Sequence, residues 1–201
     1  MSLLTIARAI AVNSGITAPT EVLSSNEPDA LKIVQFTQEA GGEIARRVDW
    51  GGLRKTVTIT GTGSNDDFDL PADFARLVSG NSITIGGVPI RVGVSADEWN
   101  SLTPTSGTPR YARLIGSKLS FYPYPVLSAA ISVSYQSKNW CGGGVAWSSD
   151  TDTALVPEIL ITQGAQWRWR RQIGQDFQDF LSEFESTLAE QAKFDDGMRL
   201  P

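Results

Sequence analysis

The pattern of apolar and polar positions is clearest in the last third of the chain. There, apolar residues recur at steps of three and four, which places them on one stripe of a helix. Pro157 suits the first turn of that helix, because the N–H that proline lacks would be unpaired there, and Asp152 and Thr153 are candidate caps. Gly164 and Gly174 either kink the helix or let another backbone approach it. The pattern therefore predicts a long helix from Pro157 to Leu188. The residues of the stripe are Ile173, Phe177, Phe180, Leu181, Phe184 and Leu188.

Two shorter helical patterns lie near the start of the chain. Apolar residues between positions 3 and 11 predict a helix that Gly15 ends. Pro28 then begins a second helix, for which Ser24 and Asn26 are candidate caps. The first 53 residues are therefore predicted to be largely helical.

A Gly41-Gly42 pair lies inside the second helical pattern, whose apolar stripe reaches from Leu31 to Val48. One alternative is a helix break near residue 41. The other is a close contact between two helices, because the absence of Cβ lets backbones approach. The sequence leaves both alternatives open.

The period of the pattern changes to two after Arg54, which is typical of strands. Residues 54–60 predict a first strand, and Pro71–Phe74 is interpreted as a single turn of helix. Residues 83–92, with Gly86-Gly87 at the turn, predict a hairpin. A second hairpin is predicted for residues 111–122, and Ser95 is expected to cap a short helix between the two.

These elements predict an α+β fold. About five or six strands follow two helices, and a long helix returns after them. Two N-terminal helices cannot bury both of their faces alone, so they need the C-terminal helix as a partner. We therefore expect a helical bundle formed by residues 1–53 and 148–201, with residues 54–147 as a β-rich domain inserted between them.

Composition restricts the chemistry. The chain has no histidine and a single cysteine, Cys141. Serine–histidine and cysteine–histidine catalysis are therefore excluded, as are an intrachain disulfide and a cysteine metal cluster. No apolar run reaches the roughly 20 residues that span a bilayer, and the N-terminus lacks the pattern of a signal peptide. We expect no membrane association and a protein made in a reducing cytoplasm.

Two glycine-rich stretches and one acidic cluster are candidates for ligand binding. Gly61-Thr62-Gly63 and residues 141–144 lack the lysine and the spacing of a phosphate-binding loop, and are interpreted as turns. Asp66, Asp67, Asp69 and Asp73 form a cluster without the pattern of a calcium loop. We therefore predict no metal and no cofactor. Paired carboxylates of a hydrolase remain an alternative, although no pair is singled out.

Charge is unevenly distributed along the chain. Residues 1–53, 54–147 and 148–201 carry net charges of −2, +2 and −5. In the predicted long helix, bases come before acids, an order opposite to the one that the helix dipole favours, and few of the bases have an acid at i+4. Trp167 and Trp169 are two residues apart and cannot share a helix face, so one of them must face a second partner.

These observations give a set of candidate interface residues. A solvated face is one interpretation of the arginines, and an interface between subunits is the other. Under the interface interpretation, replacing Arg168 and Arg171 with glutamate should leave the stability of the monomer nearly unchanged. The candidates are Arg46, Arg47, Trp167, Arg168, Trp169, Arg170, Arg171, Asp176, Asp179 and Glu183.

Several short phrases, in a fixed order over about residues 30–185, resemble those of head-to-tail adaptor proteins of tailed bacteriophages and prophages. The phrases are Ala45-Arg46-Arg47-Val48-Asp49-Trp50, Leu70-Pro71-Ala72-Asp73-Phe74, Glu98-Trp99, Pro109-Arg110-Tyr111-Ala112, Leu119-Ser120-Phe121-Tyr122-Pro123, Asn139-Trp140, Asp150-Thr151-Asp152-Thr153 and Trp167-Arg168-Trp169.

The resemblance implies a structural protein of the phage neck without catalytic residues. It implies a homo-oligomeric ring, usually dodecameric, beneath the portal protein, with the β-rich part facing a tail or nozzle protein. Packaged DNA would pass through the ring without sequence-specific binding. The alternatives are a carboxylate-dependent hydrolase of the virion and a carbohydrate-binding tail module, the latter prompted by six tryptophans and a β-rich middle.

Overall fold

A computed structural model describes residues 2–195 and shows a mixed α+β fold. Its contacts divide the chain into two compact units, Met1–Leu53 with Lys138–Pro201 and Arg54–Ser137. We call them the helical unit and the β unit. The α-helices of the described residues are α1 (Leu3–Ser14), α2 (Pro28–Arg47), α3 (Ala96–Asn100), α4 (Glu158–Gln172) and α5 (Gln178–Phe194).

The helical unit contains α1, α2, α4 and α5 around one apolar core. α4 packs against α1, α2 and α5, and its buried side chains include Leu160 and Ile161. α1 buries one stripe of aliphatic residues, as the sequence predicts. Gly15 ends α1 in the left-handed conformation, with φ of 69°, which confirms its predicted role.

The predicted caps of α2 and α4 are wrong. No side chain caps α2, although Pro28 begins it as predicted, and the Ser24 hydroxyl donates to Glu21 instead. No side chain caps α4 either, and the Asp152 carboxylate accepts hydrogen bonds from the N–H groups of residues 148 and 149. Asp152 thus closes the loop before α4 rather than the helix itself.

α2 is continuous through the Gly41-Gly42 pair. A Cβ at Gly41 would lie 2.6 Å from Cε3 of Trp140 and still closer to two other atoms of the same ring. A Cβ at Gly42 would have no atom within 4 Å. The close-contact alternative therefore holds for Gly41, with an indole ring in place of a second helix, and this contact does not explain Gly42.

The long C-terminal helix is broken in two, which corrects the single helix predicted from Pro157 to Leu188. Gly174 has φ of 73° and follows the end of α4. Ile173 lies in the connection and is 45% exposed, so it does not belong to the buried stripe. Gly164 lies inside α4, where a Cβ would be 2.8 Å from the Cβ of Ala40 on α2. One glycine thus breaks the helix and the other permits close packing.

The β unit is built from short strands, more numerous than the five or six predicted. The strands are β1 (Arg54–Thr60), β2 (Asp67–Asp69), β3 (Phe74–Leu77), β4 (Ile83–Ile85), β5 (Val88–Pro89), β6 (Arg91–Val92), β7 (Ser106–Gly107), β8 (Tyr111–Ile115), β9 (Lys118–Tyr122), β10 (Tyr124–Pro125) and β11 (Ala130–Ser137). One sheet has the order β1-β11-β4-β5, with β3 also paired to β11, and a second has the order β2-β9-β8-β6. β7 and β10 form a small parallel pair.

Most predicted strands of the β unit are present. The β8–β9 hairpin, the β4–β5 turn at Gly86-Gly87 and the capping of α3 by Ser95 confirm the sequence predictions. One detail is wrong, because β6 leaves the predicted 83–92 hairpin to pair with β8 in the other sheet. The segment predicted as a single helical turn is a hydrogen-bonded turn, in which the Phe74 N–H donates to the Pro71 carbonyl over 2.9 Å, and it leads directly into β3.

Candidate interaction surface

Arg168 is a buried cation on α4, with 7% of its surface exposed. Its Nη1 donates to the Gly164 carbonyl over 2.7 Å, and its Nε lies 3.4 Å from a carboxylate oxygen of Glu39. Its Nη2 donates to Glu43, the closest of its carboxylate contacts. Both acids belong to α2, so pairing between helices accounts for a base that pairing within α4 does not.

This environment changes one expectation. A glutamate at position 168 would face two carboxylates inside the protein, where an unpaired charge is strongly destabilising. We therefore no longer expect Arg168→Glu to leave the monomer's stability unchanged. The expectation for Arg171 stands, because its side chain is exposed.

Trp167 and Trp169 face different partners, as their spacing requires, and both partners lie in the same chain. Trp167 packs against Phe177, with ring centroids 6.4 Å apart. Trp169 meets Phe36 of α2 edge-on at 6.3 Å, and the Lys32 ammonium lies 5.5 Å from its ring centroid. Both indoles are buried, so they support the surface from inside.

Arg47 connects α2 to α5. Its Nη1 and Nη2 donate to the two carboxylate oxygens of Glu185 over 2.7 and 2.6 Å, and Nη1 also lies 3.2 Å from Glu43. The hydrogen bond to Glu185 raises the pKa of Arg47 and lowers the pKa of Glu185. This two-pronged pair fixes α5 beside the end of α2.

The other candidates lie near or on the exposed side of these helices. Arg46, Arg171, Asp176 and Asp179 are exposed. The exposed Glu183 accepts a hydrogen bond from Gln163 over 3.0 Å. Bases and acids thus stand in clusters on the surface of one unit.

The connection between α4 and α5 forms an ordered corner. The Gln175 N–H donates to the Arg170 carbonyl over 3.0 Å, which closes the end of α4. The Arg170 guanidinium lies 4.0 Å from the Phe180 ring centroid, and that of Arg171 lies 5.0 Å from the Trp167 centroid. These contacts hold both arginines in place while Ile173 remains partly exposed between them and α5.

A groove of about 480 Å³ lies over Gly42. The Gln38 side chain fixes one wall, because its Nε2 donates to the Val145 carbonyl over 2.6 Å and its Oε1 accepts from the Trp147 N–H over 3.2 Å. Val145 is 50% exposed on that wall. The groove is lined by Gln38, Glu39, Gly42, Glu43, Arg46, Val145 and Arg168.

Two members of the acidic cluster, Asp73 and Asp67, stabilise the fold of the β unit. Asp73 accepts hydrogen bonds from Tyr135 and Ser137, each over 2.9 Å, and from Lys55 over 2.6 Å. The bond from Lys55 contributes most to lowering the pKa of Asp73 to about 2. Burial and the bond to Asp73 raise the pKa of Tyr135 to about 12. Asp67 accepts a hydrogen bond from the Ser120 hydroxyl.

Within residues 2–195, no group of three or more histidine, cysteine, aspartate or glutamate side chains is placed to hold a metal ion. No helix in this part of the chain combines the length and apolar character needed to cross a membrane.

Sequence reasoning missed several residues that build this surface. The Asp150 carboxylate accepts hydrogen bonds from the N–H groups of Val22 and Leu23 over 2.8 and 2.9 Å, and thereby holds the connector between α1 and α2 in place. Val145 and the exposure of Ile173 were also missed, because they depend on contacts between segments remote in sequence. The sequence singled out the Gly41-Gly42 pair, but it did not show that a groove lies over Gly42.

The described residues thus form a mixed α+β fold whose helical unit carries an ordered, charged surface. The family is specific: residues 1–200 match the family described as SU10 adaptor protein, and the chain belongs to this family of phage head-to-tail adaptors. The family is structural, and its members are components of the virion that associate with head and tail proteins. A comparison with curated proteins gives no match.

Proposed function

We propose that this protein forms a dodecameric ring beneath the portal protein and joins the phage head to the tail. The helical unit forms a bundle that builds the ring and meets the portal, and the β unit is inserted into that bundle and faces a tail or nozzle protein. Packaged DNA passes through the ring without sequence-specific contacts. The protein assembles in the host cytoplasm and remains in the neck of the virion.

The observation that carries this proposal is the family match over nearly the whole chain. The surface of the helical unit supports it, because a ring needs two different faces of the same chain that fit one another. Exposed bases at Arg46 and Arg171 and exposed acids at Asp176 and Asp179 provide groups of both signs.

We assign the predicted interface residues two different tasks. Arg46, Arg170, Arg171, Asp176, Asp179 and Glu183 contact neighbouring subunits or the portal. Trp167, Arg168 and Trp169 are buried and hold those residues in position from inside the unit. Arg47 does the same by fixing α5 through Glu185.

We expect the isolated protein to be monomeric or weakly associated and to form its ring on the portal. Obligate interfaces are more apolar than this charged surface, and early closure of free rings would uncouple neck assembly from the head.

The test is reconstitution with the portal of the same phage. Light scattering of the pure protein should report a monomer, and mixing with purified portal rings should give a complex that cryo-electron microscopy shows to contain a second, coaxial ring. Absence of binding to portal would refute the assignment, and a ring of another copy number would refute the dodecamer. A stable large ring formed without portal would refute the proposed control of assembly.

A further inference from the structure

Gly42 is unexplained by the folded monomer. Glycine inside a helix is less favourable than alanine, and Gly41 has a reason to be glycine because the Trp140 ring occupies the place of its side chain. A side chain at Gly42 would meet nothing within 4 Å. Steric contacts within the monomer therefore do not account for glycine at position 42.

The groove over Gly42 has the features of a receptor for a short apolar segment. Its floor is bare backbone, and its wall carries Val145, half exposed and fixed by Gln38. Charges lie at the two ends: Glu39, which also contacts Gln35 and Arg168, on one side of Gly42 and Arg46 on the other. Seven residues of helix separate these charges, a rise of about 10 Å. A further acid in the lining, Glu43, is paired with Arg168 and Arg47.

The corner between α4 and α5 has the complementary order. Arg171 comes first, the partly exposed Ile173 follows, and Asp176 comes last. The groove presents an acid, an open floor and a base along α2. The corner presents a base, an aliphatic side chain and an acid along the chain.

We propose that the groove over Gly42 receives the α4–α5 corner of a second copy of this chain. Ile173 of that copy lies over Gly42 and packs against Val145. At the ends, Arg171 pairs with Glu39, and Asp176 pairs with Arg46.

The geometry favours this occupant in two ways. Both partners are preorganised, since Gln38 holds the wall of the groove and the stacking of Arg171 on Trp167 holds the corner, so little conformational entropy is lost on docking. The groove and the corner are also different surfaces of one chain, which is the arrangement that a head-to-tail ring requires. The inference thus rests on the proposed ring and names the contact that builds it.

The first test fills the groove. Gly42→Leu should leave the melting temperature of the monomer equal to or above that of the wild type, because the site is open. It should reduce the fraction of protein that assembles on portal rings at least tenfold. Asn13→Leu, a matched substitution at an exposed position of α1, should assemble normally. Wild-type assembly by Gly42→Leu would overturn the inference.

The second test detects the contact directly. A side chain at position 42 would itself block docking, so the cysteine is placed on the wall of the groove: Val145 and Ile173 replaced together by cysteine should give, on mild oxidation of portal-assembled rings, a ladder of disulfide-linked oligomers. Each single variant should give none, and these variants also control for the buried Cys141. Assembled rings of the double variant that yield no ladder would overturn the inference.

The third test exchanges the charges at one end. Arg46→Glu and Asp176→Arg should each lower assembly on portal at least fivefold, and the combination should restore it. Failure of the combination to restore assembly would refute this pairing. These outcomes are distinct from failure of the proposed function: wild-type protein that forms no ring on portal refutes both proposals, whereas a wild-type ring unaffected by all three sets of variants refutes only the Gly42 contact.

Discussion

Gly41 and Gly42 are adjacent in one helix, and we expect alanine at the two positions to change stability in opposite directions. At Gly41 the added methyl group would overlap the ring of Trp140, which is 2% exposed. The ring cannot move aside freely, because its Nε1 donates to the Val145 carbonyl over 2.9 Å and its face meets Trp147 edge-on at 4.8 Å. At Gly42 the methyl group enters open space.

The magnitudes follow from two terms. Alanine gains about 1 kcal/mol over glycine inside a helix, and this gain applies at both positions. Overpacking at Gly41 costs about 2–3 kcal/mol, the upper part of the usual range, because three atoms of a fixed ring would lie within 2.6 Å of the added methyl group, and the cost is larger if Trp140 is expelled from the core. We therefore expect Gly41→Ala to lower the free energy of unfolding by about 1–2 kcal/mol. We expect Gly42→Ala to raise it by about 0.5–1 kcal/mol.

The assay is thermal and urea unfolding of the monomer, followed by far-UV circular dichroism and tryptophan fluorescence. A change of 1 kcal/mol shifts the melting temperature by about 2–4 °C in a chain of this size, so the two variants should differ by about 3–12 °C. Fluorescence should change in Gly41→Ala and not in Gly42→Ala, because only the former displaces Trp140. Equal shifts of the same sign would refute the packing argument.

Three further predictions concern charged groups. Arg168→Met should lower the free energy of unfolding in urea by about 3–5 kcal/mol, because two carboxylates lose their cation, whereas Arg46→Met on the exposed side should change it by less than about 0.5 kcal/mol. The pKa of Asp73 is lowered to about 2 in the folded protein, so its ionised carboxylate stabilises the β unit. This stabilisation is complete above the unfolded pKa of about 3.9 and is lost as the pH falls through about 2. Asp73→Asn should remove this dependence from melting curves, and an unchanged acid dependence would contradict the assignment. Asp150→Ala should cost about 1–3 kcal/mol and speed hydrogen exchange at amides 22–23, and unchanged exchange would refute the role of this carboxylate.

Local signals in the sequence predicted much of the helical unit. These signals are the spacing of apolar residues, a proline at the start of α2 and a left-handed glycine at residue 15. Each acts within one or two helical turns, so it can be recognised from a single sequence. The family was also predicted, because its phrases are read directly from the sequence. The two-domain division and the assignment of interface residues remain predictions.

The errors arose where distant segments decide the structure. The apolar stripe continues across Gly174, but the chain reverses there and places α5 against α4, with Phe177 on Trp167. A stripe on one straight helix and two stripes on packed helices give the same spacing. The pairing of Arg168 with α2 was out of reach for the same reason, since it joins residues 125 apart in sequence. Sequence spacing reveals pairs within a helix only.

The two glycines of α2 also bear on how stability and assembly are related in this protein. If folding alone determined the residue at position 42, alanine would be the better choice by about 1 kcal/mol. Open space over Gly42 excludes a steric reason inside the monomer, whereas its neighbour has one. A stability cost without an internal cause is what a docking site for another chain produces, because the groove must stay empty until that chain arrives. Gly42→Ala therefore separates the two demands: a more stable monomer that assembles less well on portal would show that the site is kept open for assembly, and a gain in both would show that it is not.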